Sequence, residues 1–203
     1  MIEIKNKANC TGCTACASIC PKNAIKMVAN EEGFRYPVID KEKCINCNLC
    51  SKVCPMLKQY NIDEKELKFY AAYNKNTKIK NESTSGGFVT ALAEKIIDSN
   101  GVVYGAAFDK DFNVIHCGVK NKEDLSKFRS SKYVQSEIGH CFTNVKHHLD
   151  IGQKVLFTGT PCQIAGLYAY LKKDYDNLFT QDLICHGSPS PKIWRIYIEE
   201  REK

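Results

Sequence analysis

Cys10-Thr-Gly-Cys13-Thr-Ala-Cys16-Ala-Ser-Ile-Cys20-Pro21 and Cys44-Ile-Asn-Cys47-Asn-Leu-Cys50-Ser-Lys-Val-Cys54-Pro55 are two copies of one pattern, C-x2-C-x2-C-x3-C-P, set 34 residues apart. Runs of this form hold 4Fe–4S clusters through cysteine thiolates. Three cysteines at such short steps wrap one loop around three corners of a cuboid cluster. The fourth lies too far along to close the same loop, and the proline after it turns the backbone away. In two-cluster proteins with this run, the fourth Cys serves the other cluster. The spacing therefore predicts a first cluster on Cys10, Cys13, Cys16 and Cys54, and a second on Cys44, Cys47, Cys50 and Cys20.

Other uses of these cysteines fit less well. Structural zinc takes four ligands, usually as two separated C-x2-C pairs, and has no use for a third Cys at the same short step. A disulfide framework needs an oxidising compartment, and Met1 to Lys7 contains no apolar stretch of signal-peptide length ahead of Cys10. The twelve cysteines and their cluster spacing point to a reducing cytoplasm. Electron transfer is the chemistry expected of such a chain.

The length of 203 residues allows one or two domains. An apolar fraction of 43% is ordinary for a globular chain with a real core. No stretch approaches the roughly eighteen uninterrupted apolar residues of a membrane span. The formal charge is +6 with cysteines counted neutral. Two oxidised clusters, each about −2 with its four thiolates, would bring it to about +2. The lysines are interspersed with acids rather than gathered into a basic stripe, which argues against nucleic acid.

Residues 1–57 form the repeated, cysteine-rich unit. Between its two runs, Ala24 to Val28 and Tyr36 to Asp40 flank Asn30-Glu-Glu-Gly33 and read as a hairpin turning at the glycine. A unit this short buries little core, so metal binding supplies its folding energy. Residues 58–67 are polar and read as a linker. From 68 onward the texture changes to alternating strands and helices. Strands are expected at Phe69 to Tyr73, Gly101 to Phe108, Val114 to Val119, Lys154 to Phe157 and Leu178 to Ile184. Helices are expected at Phe88 to Ile97, Lys122 to Arg129, Glu137 to Leu149, Pro161 to about Lys173, and after Gly187-Ser-Pro-Ser-Pro191. The class is α+β: a small two-cluster module, then an α/β domain with a mixed or parallel sheet.

Two loops of the second region have chemical potential. Ser83-Thr-Ser-Gly-Gly87 precedes a helix, where hydroxyls and unhindered N–H groups suit an anion. An ordinary N-cap and turn would use the same residues. Thr158-Gly-Thr-Pro-Cys162-Gln163 lies between a strand and a helix, the usual ligand edge of an α/β sheet.

The strings Ser85-Gly-Gly-Phe-Val-Thr-Ala-Leu, Gly101-Val-Val-Tyr-Gly-Ala-Ala-Phe, Arg129-Ser-Ser-Lys-Tyr-Val-Gln-Ser, Phe157-Thr-Gly-Thr-Pro-Cys-Gln-Ile-Ala-Gly-Leu and Asp182-Leu-Ile-Cys-His-Gly-Ser-Pro-Ser-Pro together resemble the beta subunit family of coenzyme F420-reducing hydrogenases and dehydrogenases. The resemblance implies an iron–sulfur flavoprotein oxidoreductase in which clusters exchange electrons with FAD. It makes Ser85, Gly86, Gly87, Gly159 and Thr160 the expected lining of an FAD phosphate site. Redox partners would be another protein or a coenzyme, within a larger oxidoreductase complex. Members of the family continue beyond the point where this chain stops, so residues 68–203 are expected to be the N-terminal part of the flavin domain.

Four cysteines lie outside the two runs. Cys117 and Cys141 read as packing residues. Cys162 and Cys185 follow strands, and since some relatives carry a further cluster in the flavin domain, they are candidate ligands of a third 4Fe–4S cluster. His147 and His148 read as a solvated helix face. Beside the flavoprotein stands a rival, a non-catalytic carrier with an appended docking domain in a larger complex.

Overall fold

The computed structural model describes residues 2–4, 6–57 and 67–202. The expected linker falls outside these residues except for Leu67. The expected α+β architecture is the one found, with a small cysteine-rich unit followed by a mixed sheet and its helices.

In the first unit, α1 (Ala15–Ser18) and α2 (Leu49–Lys52) carry the middle of each cysteine run. Between them β1 (Ile25–Ala29) and β2 (Arg35–Ile39) pair antiparallel from Ile25↔Ile39 to Ala29↔Arg35. Gly33 turns this hairpin at φ 87°, and the Asn30 carboxamide accepts the N–H groups of Glu32 and Phe34. The repeat in the sequence is also a repeat in the backbone. Gly12 and Asn46 are both left-handed (φ 64° and 53°), as are Thr14 and Asn48 (φ 66° and 60°). For threonine this conformation costs about 1–2 kcal/mol, so it marks a loop bent to an outside requirement.

The second unit holds one four-stranded sheet in the order β4-β3-β5-β6. Strand β3 (Val102–Phe108) pairs antiparallel with β4 (Val114–Val119) and parallel with β5 (Val155–Gly159), which pairs parallel with β6 (Leu178–Asp182). Alternation along the strands sends Val103 and Leu156 to one face, against Ala93 and Ile96 of α4 (Phe88–Asp98) and Leu125. Val102, Tyr104, Val155 and Phe157 face the other way. They meet Phe142, Val145 and Leu149 of α5 (Cys141–Asp150) and Ile164, Leu167 and Tyr170 of α6 (Pro161–Leu171). A short α3 (Thr77–Asn81) precedes α4, and α7 (Pro191–Arg201) closes the described chain. The latter lies across two turns: the Ser190 hydroxyl donates to the Glu32 carbonyl, and the Trp194 indole donates to the Phe112 carbonyl at 2.8 Å.

The two units share a core. Cys13, Ala15 and Val53 belong to the same apolar cluster as Phe142, Phe157 and Leu167. Gly166 permits the contact, because a Cβ there would stand 3.2 Å from both Cβ and Sγ of Cys13.

Four expectations need correction. Phe69 to Tyr73 forms no strand: Phe69 is 90% exposed, and no ladder partner runs beside it among the described residues. Lys122 to Arg129 contains a 3-10 helix, Glu123–Phe128, rather than an α-helix. Glu137 is not helical but bridges to β4, giving its N–H to Val114 and taking that of His116, so α5 starts only at Cys141. Strand β6 stops at Asp182, two residues short of Ile184.

Candidate iron–sulfur site

The first ring is assembled from three local thiols and one distant one. Cys10 follows the 3-10 turn Lys7–Asn9, Cys16 lies in α1, and Cys13 stands between them. Cys54 arrives from the end of α2, near enough that its charge raises the thiols of Cys10, Cys13 and Cys16. Burial is the larger cause throughout, pushing Cys13 up to about 11 and Cys16 up to about 12. Backbone N–H groups of Gly12, Ala15 and Ala17 point at the three sulfurs and pull the other way. Desolvated thiols beside amide donors suit a metal that removes their protons outright. The Thr14 hydroxyl is buried here without a hydrogen-bond partner among the described residues, a donor available to cluster sulfur.

The second ring surrounds a small cavity of about 20 Å³. Its lining contains Cys20, Cys44, Cys47 and Cys50, floored by Ile25, Ile39 and Leu49. Cys20 thus faces the other run's pocket rather than its own. The Ile2 N–H reaches Cys50 Sγ at 3.1 Å and the Ala24 N–H reaches Cys20 Sγ at 3.3 Å. The rings differ in exposure at one corner. Cys13 and Cys16 of the first and Cys50 of the second are buried, whereas Cys47 of the second is exposed beside Ile45, itself 57% exposed. Among the described residues no three ligating side chains converge tightly enough for a single ion. A cuboid cluster, whose thiolates sit on separate irons, needs its ligands further apart than tetrahedral zinc at about 2.3 Å per bond.

The other expected residues lie at the sheet's C-terminal edge. Ser85–Gly87 forms a 3-10 turn into α4, with Ser85, Gly86 and Gly87 all left-handed. Gly159 ends β5, and Thr160 caps α6 with its N–H donated to the Gln163 side chain at 2.9 Å. Gly86 is packed against Tyr73 and Gly159 against Gln163, so each glycine already has a reason within the chain. Cys162 is half-buried in the first turn of α6, its sulfur 3.1 Å from Thr160 Oγ1, while Cys185 is exposed on the coil after β6. Cys141 is buried, donates to the His116 carbonyl and is held protonated by burial, at about 12. Cys117 is half-buried. His147 is exposed, and His148 bonds to Gln153.

Beneath α6 lies a polar chain that sequence reading missed. Gln163 Nε2 donates to Ser136 Oγ at 2.9 Å, Ser136 Oγ contacts His116 Nδ1 at 2.7 Å, and His116 Nε2 contacts the Thr158 carbonyl at 2.9 Å. Only Gln163 carried a signal, the Thr-x-x-Gln pattern of a helix cap. His116 and Ser136 come from distant elements.

Comparison with known proteins agrees with this geometry. Residues 9–57 match a 4Fe-4S dicluster domain and residues 36–89 match another. Residues 152–203 match the C terminus of the beta subunit in the coenzyme F420 hydrogenase/dehydrogenase family. One region of the chain is thus similar to a dicluster domain and another to the C terminus of that beta subunit. Its fold resembles a chain of the F420-reducing [NiFe] hydrogenase complex from Methanosarcina barkeri, in a xenon-derivatised structure, at TM-score 0.50 and 22% identity. That alignment covers 63% of this chain and 47% of the other, so this chain spans about half of its relative. No curated protein matches. The dicluster domain makes iron–sulfur electron transfer the chemistry of the first unit. No helix among the described residues is long and apolar enough to cross a membrane.

Proposed function

We propose that this beta-subunit relative conducts electrons between a partner docked at its exposed second ring and an acceptor held over the C-terminal edge of the sheet. The carrying observation is the unequal burial of the rings. The second opens to solvent at Cys47, and the first is enclosed against α6. The ligands are Cys10, Cys13, Cys16 and Cys54 for one cluster, and Cys44, Cys47, Cys50 and Cys20 for the other. Bound there, 4Fe–4S clusters supply one-electron transfer. The protein's part is to desolvate the first ring, aim amide donors at its sulfurs and hold the rings in one rigid body through the shared core.

The acceptor in this reading is FAD, with Ser85, Gly86, Gly87, Gly159 and Thr160 toward its phosphates. Both loops open onto the same sheet edge, each at a helix start where backbone N–H groups favour an anion. A partner subunit or coenzyme completes the route, as part of an oxidoreductase complex in the reducing cytoplasm.

The test is cofactor analysis after anaerobic purification. About eight irons per chain, falling to about four in Cys20→Ala with loss of the cluster built on the second run, is expected. Iron at about four in the parent protein would end the two-cluster reading. Flavin retained by a longer form of the protein and lost in Gly159→Val supports FAD at this edge. Full iron with no flavin in that longer form leaves the chain an electron carrier.

A further inference from the structure

The outer edge of β4 is only partly covered. His116 gives its N–H to the Glu137 carbonyl, and Glu137 gives its own to Val114. Backbone groups alternate along a strand, so the N–H of Gly118, two residues on, points to the same side as that of His116. Gly139, left-handed at φ 53°, turns the covering chain away into α5, and no described residue takes the Gly118 N–H. Where the two segments part, a cavity of about 420 Å³ opens between β4 and α5, the size of a small-molecule site.

Its floor is apolar, made by Val102, Ile115 and Ile138. Tyr104 also lines it and is 3% exposed. Gly118 stands directly opposite Tyr104 in the ladder, where a Cβ would lie 2.9 Å from the tyrosine ring and 3.3 Å from its hydroxyl oxygen. The ring therefore lies across Gly118. Its hydroxyl has no hydrogen-bond partner among the described residues, a cost that buried polar groups rarely bear. The charges of the lining are unequal. Glu137 is already paired with Arg35 at 2.8 Å, whereas Lys120 has no ion-pair partner among the described residues. Both His116 nitrogens and the Cys141 thiol are engaged within the chain.

We propose that this cavity binds a small organic carboxylate with an apolar body. The body rests on Val102, Ile115 and Ile138. The carboxylate takes the Gly118 N–H, the Tyr104 hydroxyl and the Lys120 ammonium, three donors that the chain leaves unused, in charge-assisted hydrogen bonds. A metal ion fits less well, because no three ligating side chains converge among the described residues. The site is also separate from the proposed acceptor: Val102 begins β3, whereas Gly159 ends β5 at the opposite edge of the sheet.

Benzoate is the probe, titrated calorimetrically into the anaerobically purified, iron-loaded full chain. It should bind, with benzamide, the same body without the charge, at least tenfold weaker. Tyr104→Phe, which keeps the ring, and Lys120→Met should each weaken benzoate about tenfold, with circular dichroism and iron content unchanged. Lys120 is exposed, so its variant reads the site even if loss of the Tyr104 hydroxyl loosens the sheet. Absence of benzoate binding overturns the proposal, as does equal affinity for benzamide or an unaltered affinity in Lys120→Met. None of these outcomes depends on the number of clusters or on flavin, so the proposal and the electron-transfer reading fail separately.

Discussion

His116 is 6% exposed, and its surroundings assign its proton. The Thr158 carbonyl can only accept, so His116 carries hydrogen on Nε2, and Nδ1 accepts from the Ser136 hydroxyl. Ser136 Oγ in turn accepts from Gln163, so every donor in the chain has an acceptor. Burial pushes the imidazole down to about 4, against the opposing pull of the Thr158 carbonyl. The native value lies below the unfolded one of about 6.5, so falling pH protonates the unfolded chain first. The neutral histidine's contribution is complete above that unfolded value and is lost as pH falls toward 4. The shift corresponds to about 3 kcal/mol. The ring-proton resonances of His116 should stay flat from about pH 8 to about pH 5. A midpoint near the ordinary histidine value would show the ring to be solvated.

Helix α6 carries more of the architecture than any other element, because its N-terminus meets the polar chain and its middle meets Cys13. Gln163, 2% exposed, accepts from Thr160 N–H and donates to Ser136. Gln163→Ala leaves those groups buried without partners, at a cost of about 1–3 kcal/mol. Urea unfolding should show a lower midpoint with an unchanged slope, and an unaltered midpoint would mean that water replaces the amide. The start of this helix was legible in Pro161, whose role is local. Phe69 to Tyr73 was misread for the opposite reason. Its apolar, aromatic run has strand propensity, but a strand exists only where a neighbouring edge supplies a ladder. Glu137 looked helical by pattern, yet its backbone was captured by β4.

The whole molecule behaves as one body because Cys13, Ala15 and Val53 of the dicluster domain are core residues of the second unit. Metal binding to the first ring should therefore stabilise both units together. Heating the reduced, iron-loaded protein should give a single transition, with far-ultraviolet circular dichroism, cluster absorbance and Trp194 fluorescence changing together. Removal of iron should lower the midpoint for the α/β domain as well. Two separated transitions, or an α/β domain indifferent to iron, would show that the shared core contributes little.

The sequence alone determined the local terms: the cysteine steps, the Gly33 hairpin, the strand–helix alternation and the start of α6 at Pro161. Those follow from bond geometry and from patterns that close within a few residues. It also led to the expectation of crossed pairing for Cys20 and Cys54, which the proposed ligand sets keep. Only the tertiary structure decided which face of α6 meets the dicluster domain, that Cys185 stays exposed, and that His116, Ser136 and Gln163 form one chain. Those contacts join residues far apart in sequence. They are selected by close packing of apolar faces, which no local spacing encodes.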